Sequence, residues 1–243
     1  MRAPLTVGSL FAGIGGFDLG LERAGMQVKW QVEIDPFCRA VLAKHWPAVK
    51  RYEDVRTVGS ELERVDVICA GFPCQDISSN NQYKRGIDGE KSGLWREVVR
   101  VVRLVRPRYV LLENVSDLLV RGMGTVLGDL ADLGLDAEWE LLPAAGFGLP
   151  QPRFRVFIAA YPRRGGQQIS NERLEAGAFA RARIDGDGLV QAEHAAAEAA
   201  GRIRGMDAGL PGTVDRVNAL GNSIAPDVAE WIGRRIIEAE EAA

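Results

Sequence analysis

The run Val65-Asp66-Val67-Ile68-Cys69 is short, β-branched and nearly unbroken in its apolar character. Such a run suits a strand covered on both faces, the situation of a strand in a parallel sheet flanked by helices. The chain then reads Ala70-Gly71-Phe72-Pro73-Cys74-Gln75. Gly71 permits a sharp turn and Pro73 stiffens it, so Cys74 is expected at the carboxyl edge of the sheet, where open α/β folds hold their ligands. Cys69 lies inside the run and reads as a packing residue. Cys74 lies outside it and is a candidate reactive thiol.

The α/β reading extends in both directions. Leu5 to Leu10 is a strand candidate, followed by Phe11-Ala12-Gly13-Ile14-Gly15-Gly16-Phe17. A glycine-rich turn between strand and helix lets the backbone approach a ligand and aims helix N-terminal amides at it. A helix is expected from about Phe17 to Ala24 with Gly25 at its end, then a strand from about Gln27 to Val32. That strand leads to Glu33-Ile34-Asp35, which places a carboxylate about 20 residues after the glycines, where nucleoside-binding α/β folds hold ribose hydroxyls. An acidic helix cap is the plainer use of the same residues. Pro36 to about His45 reads as a helix with Pro in its first turn, and Arg51 to Thr57 as a link carrying Asp54-Val55.

After Gln75 the segment Asp76 to Gly93 is polar, without apolar periodicity, and locally basic through Lys84, Arg85 and Lys91; loops of this length tend to be binding segments. A helix from Gly93 to about Val105 faces Leu94, Val98, Val101 and Val102 inward and carries Arg96, Arg100 and Arg103 on its polar positions. Pro107 forces an exit, and Arg108 to Leu112 reads as a buried strand ending in Glu113-Asn114-Val115. The right-handed crossover rule places this strand beside the one before Cys74, so that Cys74 and Glu113 face one crevice. A helix over Met123–Leu133 and strands over Ala137–Leu142 and Val156–Tyr161 follow. Arg153 and Arg155 share one face of an extended chain, a pairing that suits phosphate and base-edge recognition. Beyond Pro162 the pattern weakens, and order returns at Gly221-Asn222-Ser223-Ile224-Ala225-Pro226 with an amphipathic helix to about Ala239.

With 243 residues, 47% hydrophobic and 26% charged, the chain has the makeup of one globular domain with room for a small appendage. A net charge of −3 carries no overall sign of a nucleic-acid partner, so any basic surface must be local. Three cysteines, an odd number, do not make a disulfide framework and point to a reducing compartment. No apolar run approaches the ~20 residues of a membrane-spanning helix and no leader pattern opens the chain, so the expected location is the cytoplasm. His45 and His194 stand far apart without a third partner, and Asp185-Gly186-Asp187-Gly188 lacks the spacing of a calcium loop; no metal is expected.

Taken in order, these segments resemble the DNA (cytosine-5) methyltransferase family of bacterial and phage type. Phe11-Ala12-Gly13-Ile14-Gly15-Gly16 resembles its first S-adenosylmethionine motif, Glu33 and Asp35 the second, and Asp54-Val55 the adenine-contacting one. Pro73-Cys74-Gln75 resembles the nucleophile motif, Glu113-Asn114-Val115 the acid motif, Gln151-x-Arg153-x-Arg155 the paired-arginine motif and Gly221-Asn222-Ser223 the closing motif. The resemblance implies a Rossmann-like, S-adenosylmethionine-dependent methyltransferase fold with a mostly parallel sheet. It divides the chain into a catalytic domain of 1–161 plus 215–243 and a reduced target-recognition region of 162–214. It implies cofactor contacts from Phe11, Gly13, Ile14, Gly15, Glu33, Ile34, Asp54, Val55, Pro73, Leu94, Asn222 and Ser223. It places catalysis on Cys74, Glu113, Arg153 and Arg155, and contacts to double-stranded DNA on Gln75, Ser78, Lys84, Arg85 and Lys91.

The chemistry so implied is addition of the Cys74 thiolate to C6 of a flipped-out cytosine, which makes C5 able to accept a methyl group. Protonated Glu113, its pKa raised by burial, would hold N3, with Arg155 near the O2 edge. The chain departs from the family in its short 162–214 region. The arginine-bearing penultimate motif is faint, at Arg202-Ile203-Arg204 or Val214-Asp215-Arg216, and Lys91 stands where Arg is more usual. Two alternatives stay open: the same chemistry on RNA, and a non-catalytic DNA-binding relative or half-enzyme with a separate recognition partner. A cognate restriction enzyme is a further partner the bacterial type implies. A nucleotide-dependent oxidoreductase would leave Pro73-Cys74-Gln75 and Glu113-Asn114-Val115 unexplained.

Overall fold

The computed structural model describes residues 3–73, 93–143, 154–163 and 224–241. Seven strands form one mixed sheet: β1 (Thr6–Leu10), β2 (Gln27–Val32), β3 (Lys50–Tyr52), β4 (Val67–Ala70), β5 (Tyr109–Val115), β6 (Leu135–Pro143) and β7 (Phe154–Pro162). Their spatial order is β3-β2-β1-β4-β5-β7-β6. The first five pair in parallel, and β7 is inserted antiparallel to both β5 and β6. The helices are α1 (Gly16–Arg23), α2 (Pro36–His45), α3 (Leu94–Val105), α4 (Leu118–Arg121), α5 (Met123–Asp132) and α6 (Pro226–Glu241).

Chain direction along the sheet reverses between β1 and β4. From β1 the chain moves outward through β2 to β3, then returns to the other side of β1 for β4 and β5. Strand order reversals of this kind open a crevice at the carboxyl edge, because the connections on either side diverge. Leu10 and Ala70 end their strands in register with each other, so the glycine turn after β1 and the Gly71-Phe72-Pro73 turn after β4 flank that crevice.

Two apolar layers cover the sheet. On one face Trp95, Val98, Val101, Val102 and Val105 of α3 and Met123, Val126 and Leu130 of α5 pack against Ile68, Val110, Leu112, Val156 and Ile158. On the other, Phe17 and Leu21 of α1 and Val228, Ala229, Ile232 and Ile236 of α6 meet Val7, Val67, Cys69, Leu111, Phe157 and Ala159. The two helices of the second layer are pressed together at glycines. A Cβ on Gly20 would fall 2.2 Å from the carbonyl oxygen of Pro226 and 2.5 Å from Ala229 Cβ, and one on Gly233 2.8 Å from Ala24 Cβ. Arg108 and Tyr109, at the start of β5, both bond Glu240 near the end of α6; the Tyr109 hydroxyl donates at 2.7 Å. The chain's last described helix is thereby fixed beside its first.

The expected strands and helices are present, with two corrections. Part of the Arg51–Thr57 link is strand: Lys50–Tyr52 adds β3 to the sheet edge through Trp30↔Lys50, Gln31↔Arg51 and Val32↔Tyr52. Three residues at an edge carry no readable alternation; β3 is held by its ladder with β2 and by Tyr52, which packs against the core. The short helix α4 was also not foreseen; it is anchored by a single fully buried side chain, Leu118. Among the described residues no helix is long and apolar enough to cross a membrane.

Candidate active site

The turn after β1 winds through left-handed backbone at Phe11 (φ 53°), Gly13 (φ 56°) and Gly15 (φ 90°). Among the described residues a Cβ on Gly13 would meet nothing within 4 Å, whereas one on Gly15 would lie 2.5 Å from the Trp46 ring. Among those residues the turn is thus backed by protein on one side and open on the other, the shape of a cradle into which a ligand can settle. Its geometry is fixed from β2. Glu33, nearly buried, accepts from Gly13 N through Oε2 (2.7 Å) and from Asp35 N through Oε1 (2.8 Å). Asp35 itself caps α2, accepting from Cys38 N at 2.9 Å, so the plainer reading of that carboxylate holds. Ile34 between them leaves 62% of its surface exposed, an apolar side chain beside the cradle with no core role.

Asp54 and Val55 stand just beyond β3. The Arg56 guanidinium grips the Asp54 carboxylate, with Nη2 2.6 Å from Oδ2, and holds its carboxyl below the usual carboxylate range. Val55 is buried, and Leu94, the first residue of α3, packs against the same apolar layer, as does Phe11. Phe11, Gly13, Ile14, Gly15, Glu33, Ile34, Asp54, Val55 and Leu94 therefore line the ends of β1, β2, β3 and α3 at one edge of the sheet. Pro73 is half-buried after β4. This set fits a nucleoside-bearing cofactor: an open glycine cradle, a carboxylate after β2, an exposed aliphatic side chain and a second carboxylate after β3.

The acid site lies next to it. β4 and β5 are parallel neighbours with Ala70↔Leu112 in register, as the crossover rule requires, and Glu113 follows directly. Its carboxylate Oε2 lies 3.5 Å from the point a Gly71 Cβ would occupy. Arg155 on β7 pairs with Val115 in the ladder and sends Nε to within 2.8 Å of Glu113 Oε1. Both side chains are mostly shielded, at 11% and 21% exposure, so water screens the pair weakly.

One positioning residue escaped the sequence reading. Asn114, buried on the opposite face of β5 from Glu113, donates from Nδ2 to the Phe72 carbonyl at 3.0 Å and accepts from Val115 N at 2.8 Å. Phe72 also packs at a tilt of 43° against Trp95, 5.0 Å between ring centroids, and Trp95 donates from Nε1 to Asp129 on α5 (2.6 Å). The segment immediately before Cys74 is therefore clamped from both β5 and α3. An Asn following the apolar run Val110-Leu111-Leu112 is the sequence sign of this, and it does not name its partner. Cys74, Gln75, Ser78, Lys84, Arg85, Lys91, Arg153, Asn222 and Ser223 lie outside the described residues. Among the described residues, no group of three or more His, Cys, Asp or Glu side chains is placed to hold a metal.

Strand order, the reversed β7 and the cradle at the β1–β4 crevice define a Rossmann-like fold of the S-adenosylmethionine-dependent methyltransferase class. Solved structures agree: a protein encoded within an Escherichia coli prophage superposes with a TM-score of 0.57 at 27% identity, over 69% of this chain and 49% of that one. The Schizosaccharomyces pombe Dnmt2 methyltransferase shares the fold at TM-score 0.56 and 19% identity, over 76% and 57% of the two chains. Residues 5–182 match the model of the C-5 cytosine-specific DNA methylase family, and the chain belongs to that family. Among its relatives are the type II methyltransferases M2.BsuMI of Bacillus subtilis, 38% identical over 64% of this chain and 42% of its own, and M1.HphI of Haemophilus parahaemolyticus, 32% identical over 68% and 48%. The chain spans about half the length of the curated relatives it matches.

Proposed function

We propose that the chain is the catalytic part of a DNA (cytosine-5) methyltransferase that uses S-adenosylmethionine. The observation that carries this reading is the juxtaposition of Glu113, ion-paired with Arg155, and the Gly71-Phe72-Pro73 turn that leads into Cys74. When bound, S-adenosylmethionine supplies an electrophilic methyl group on a sulfonium. The Gly13 turn, Glu33 and Ile34 would hold its ribose side. Asp54 offers an acceptor and Val55 a backbone donor to the adenine edge, and Pro73, Leu94, Asn222 and Ser223 complete the site.

Cytosine C5 is a weak nucleophile, because attack through it disrupts the ring. The Cys74 thiolate adds to C6, and the electron pair displaced from the C5–C6 bond makes C5 nucleophilic. Glu113, in its protonated form, holds N3 and balances the charge pushed into the ring, while Arg153 and Arg155 orient the acid and the O2 edge. Loss of the C5 proton and departure of the thiolate restore the aromatic ring. A stacked base cannot be reached this way, so the target is flipped out of double-stranded DNA, with Gln75, Ser78, Lys84, Arg85 and Lys91 as contacts to the duplex.

Residues 1–161 and 215–243 make the catalytic unit in this reading, and 162–214 a reduced recognition region. The partners in this reading are double-stranded DNA and, as the bacterial type implies, a cognate restriction enzyme or a separate recognition protein. Bisulfite sequencing of DNA from cells expressing the chain tests the reading. Protected cytosines at a recurring site, lost with Cys74→Ala, support it; unprotected DNA alongside methylated RNA would move the activity to RNA.

A further inference from the structure

Arg100 lies on the polar side of α3, and nothing in its sequence setting separates it from Arg96 and Arg103. In the fold it is set apart. Its Nη2 donates to the Val55 carbonyl at 2.6 Å and its Nη1 to the Val58 carbonyl at 2.8 Å, while Nε donates to Glu97 Oε2 at 2.7 Å. One guanidinium thus bridges two carbonyls of the 54–58 turn and is itself held from behind by a carboxylate one helical turn away. The remaining bonds of the turn are local: Arg56 donates from its backbone N to Asp54 Oδ1 at 2.9 Å, from Nε to Oδ1 and Oδ2 at 2.9 and 3.0 Å and from Nη2 to Oδ2 at 2.6 Å, which leaves the other lone pairs of that carboxylate to a ligand, and Thr57 N and Oγ1 donate to the Asp54 carbonyl at 3.1 and 3.0 Å. Those bonds shape the turn without fixing where it stands. Arg100 and the buried Val55 and Val58 side chains tie it to the body of the protein.

We propose that Arg100 is a positioning residue for base recognition at the cofactor site, placing the Asp54 carboxylate and the Val55 backbone donor side by side for an adenine edge. The proposal rests on the cofactor reading above. Arg100 touches the turn only through backbone carbonyls, so it acts on the turn's position and not on the ligand. The forked guanidinium is what the task needs, since two carbonyls must be reached at once; a lysine would not hold both in this fixed geometry. The same α3 begins at Leu94, so a single helix carries both an apolar contact to the cofactor site and the clamp on its adenine-reading turn.

The test compares equilibrium binding of S-adenosylhomocysteine and S-inosylhomocysteine by calorimetry, using the full chain and its Arg100→Met and Arg100→Lys variants. Hypoxanthine turns the donor at ring position 6 into an acceptor and the acceptor at position 1 into a donor, so a fixed turn rejects it. The wild type should prefer the adenine ligand by about tenfold or more, since the Asp54 acceptor and the Val55 donor both lose their match and leaving even one such group unpaired is worth about that much. Arg100→Met should reduce that preference to about twofold, with the adenine ligand losing affinity and the inosine ligand nearly unchanged, and Arg100→Lys should fall between. A general loosening of the fold would weaken both ligands alike and leave the ratio intact; an intact ratio overturns the proposal. If Arg100→Met does not fold, Arg100→Lys and Glu97→Ala, which takes the acceptor from Nε only, are judged by the same ratio. Wild-type protein that binds neither ligand refutes the cofactor reading itself and not merely the role of Arg100.

Discussion

Asp18 sits in the first turn of α1 with no exposed surface, accepting from Ser9 Oγ on β1 at 3.0 Å and from Gln31 Nε2 on β2 at 2.8 Å. Burial, offset only in part by those bonds and reinforced by Glu22 one turn on, pushes its carboxyl up from 3.8 to about 6. The other titratable group against it is the fully buried Cys69 thiol on β4, itself pushed up by burial and so neutral throughout. An acid raised in this way binds its proton more tightly in the folded state than in the unfolded one. Its contribution is therefore most favourable below the unfolded value and is lost as the pH rises through the folded value. From 3.8 to about 6, at 1.36 kcal/mol per unit, the ionised group weakens the fold by about 3 kcal/mol, of which about 1.4 kcal/mol falls between pH 5 and pH 8.

Asp18→Asn removes the titration while keeping the shape. Its amide oxygen can still accept from Gln31 Nε2, and its NH2 takes the place of the oxygen that faces Ser9 Oγ, which then accepts. The stability difference between variant and wild type should move in the variant's favour by about 1.4 kcal/mol from pH 5 to pH 8, or roughly 3–6 °C in Tm at this chain length. Urea titrations and thermal melts at four pH values measure it, and any constant offset between the proteins drops out. Curves that stay parallel across that range would refute the argument.

Other perturbations probe other contacts. Gly20→Ala gains up to about 1 kcal/mol in helix propensity but drives its Cβ into the Pro226 carbonyl, so a net loss of about 1–3 kcal/mol is expected in urea titrations. Asn114→Leu leaves the buried Phe72 carbonyl unpaired, for a loss of about 1–3 kcal/mol and a fall in methyl transfer with S-adenosylhomocysteine affinity unchanged. Arg155→Met strands the nearly buried Glu113 carboxylate and should lower stability by about 3 kcal/mol; Glu113→Gln, which needs no counter-ion, should cost less than half of that while abolishing turnover.

The parts of this molecule written in local pattern were legible from the chain alone. Pro36 marks the start of α2, and the unbroken run before Ala70 marks a strand covered on both faces. The crossover rule then put Glu113 beside the Cys74 turn, and the register Ala70↔Leu112 agrees. What was not legible depends on partners distant in sequence. β3 is too short to show a period and is held by its neighbour's ladder. Glu113 and Arg155 each read as functional, yet their ion pair exists only because β7 is inserted antiparallel against β5. Gly20 and Gly233 look like weak points in two helices until α1 and α6 are laid together. Asn114 and Arg100 act on backbone carbonyls, and a carbonyl leaves no mark in a sequence.

A duplex carrying 5-fluorocytosine at a methylated site gives the most direct measurement, because fluorine cannot leave C5 as a proton does and the thiolate is then retained. Incubated with S-adenosylmethionine and the chain, together with any recognition partner its activity requires, the duplex should yield a denaturation-resistant adduct. Mass spectrometry should locate it on Cys74, and Glu113→Gln should suppress it. An active preparation that methylates the unmodified duplex, yet forms no such adduct or forms it on Cys38 or Cys69, contradicts the account.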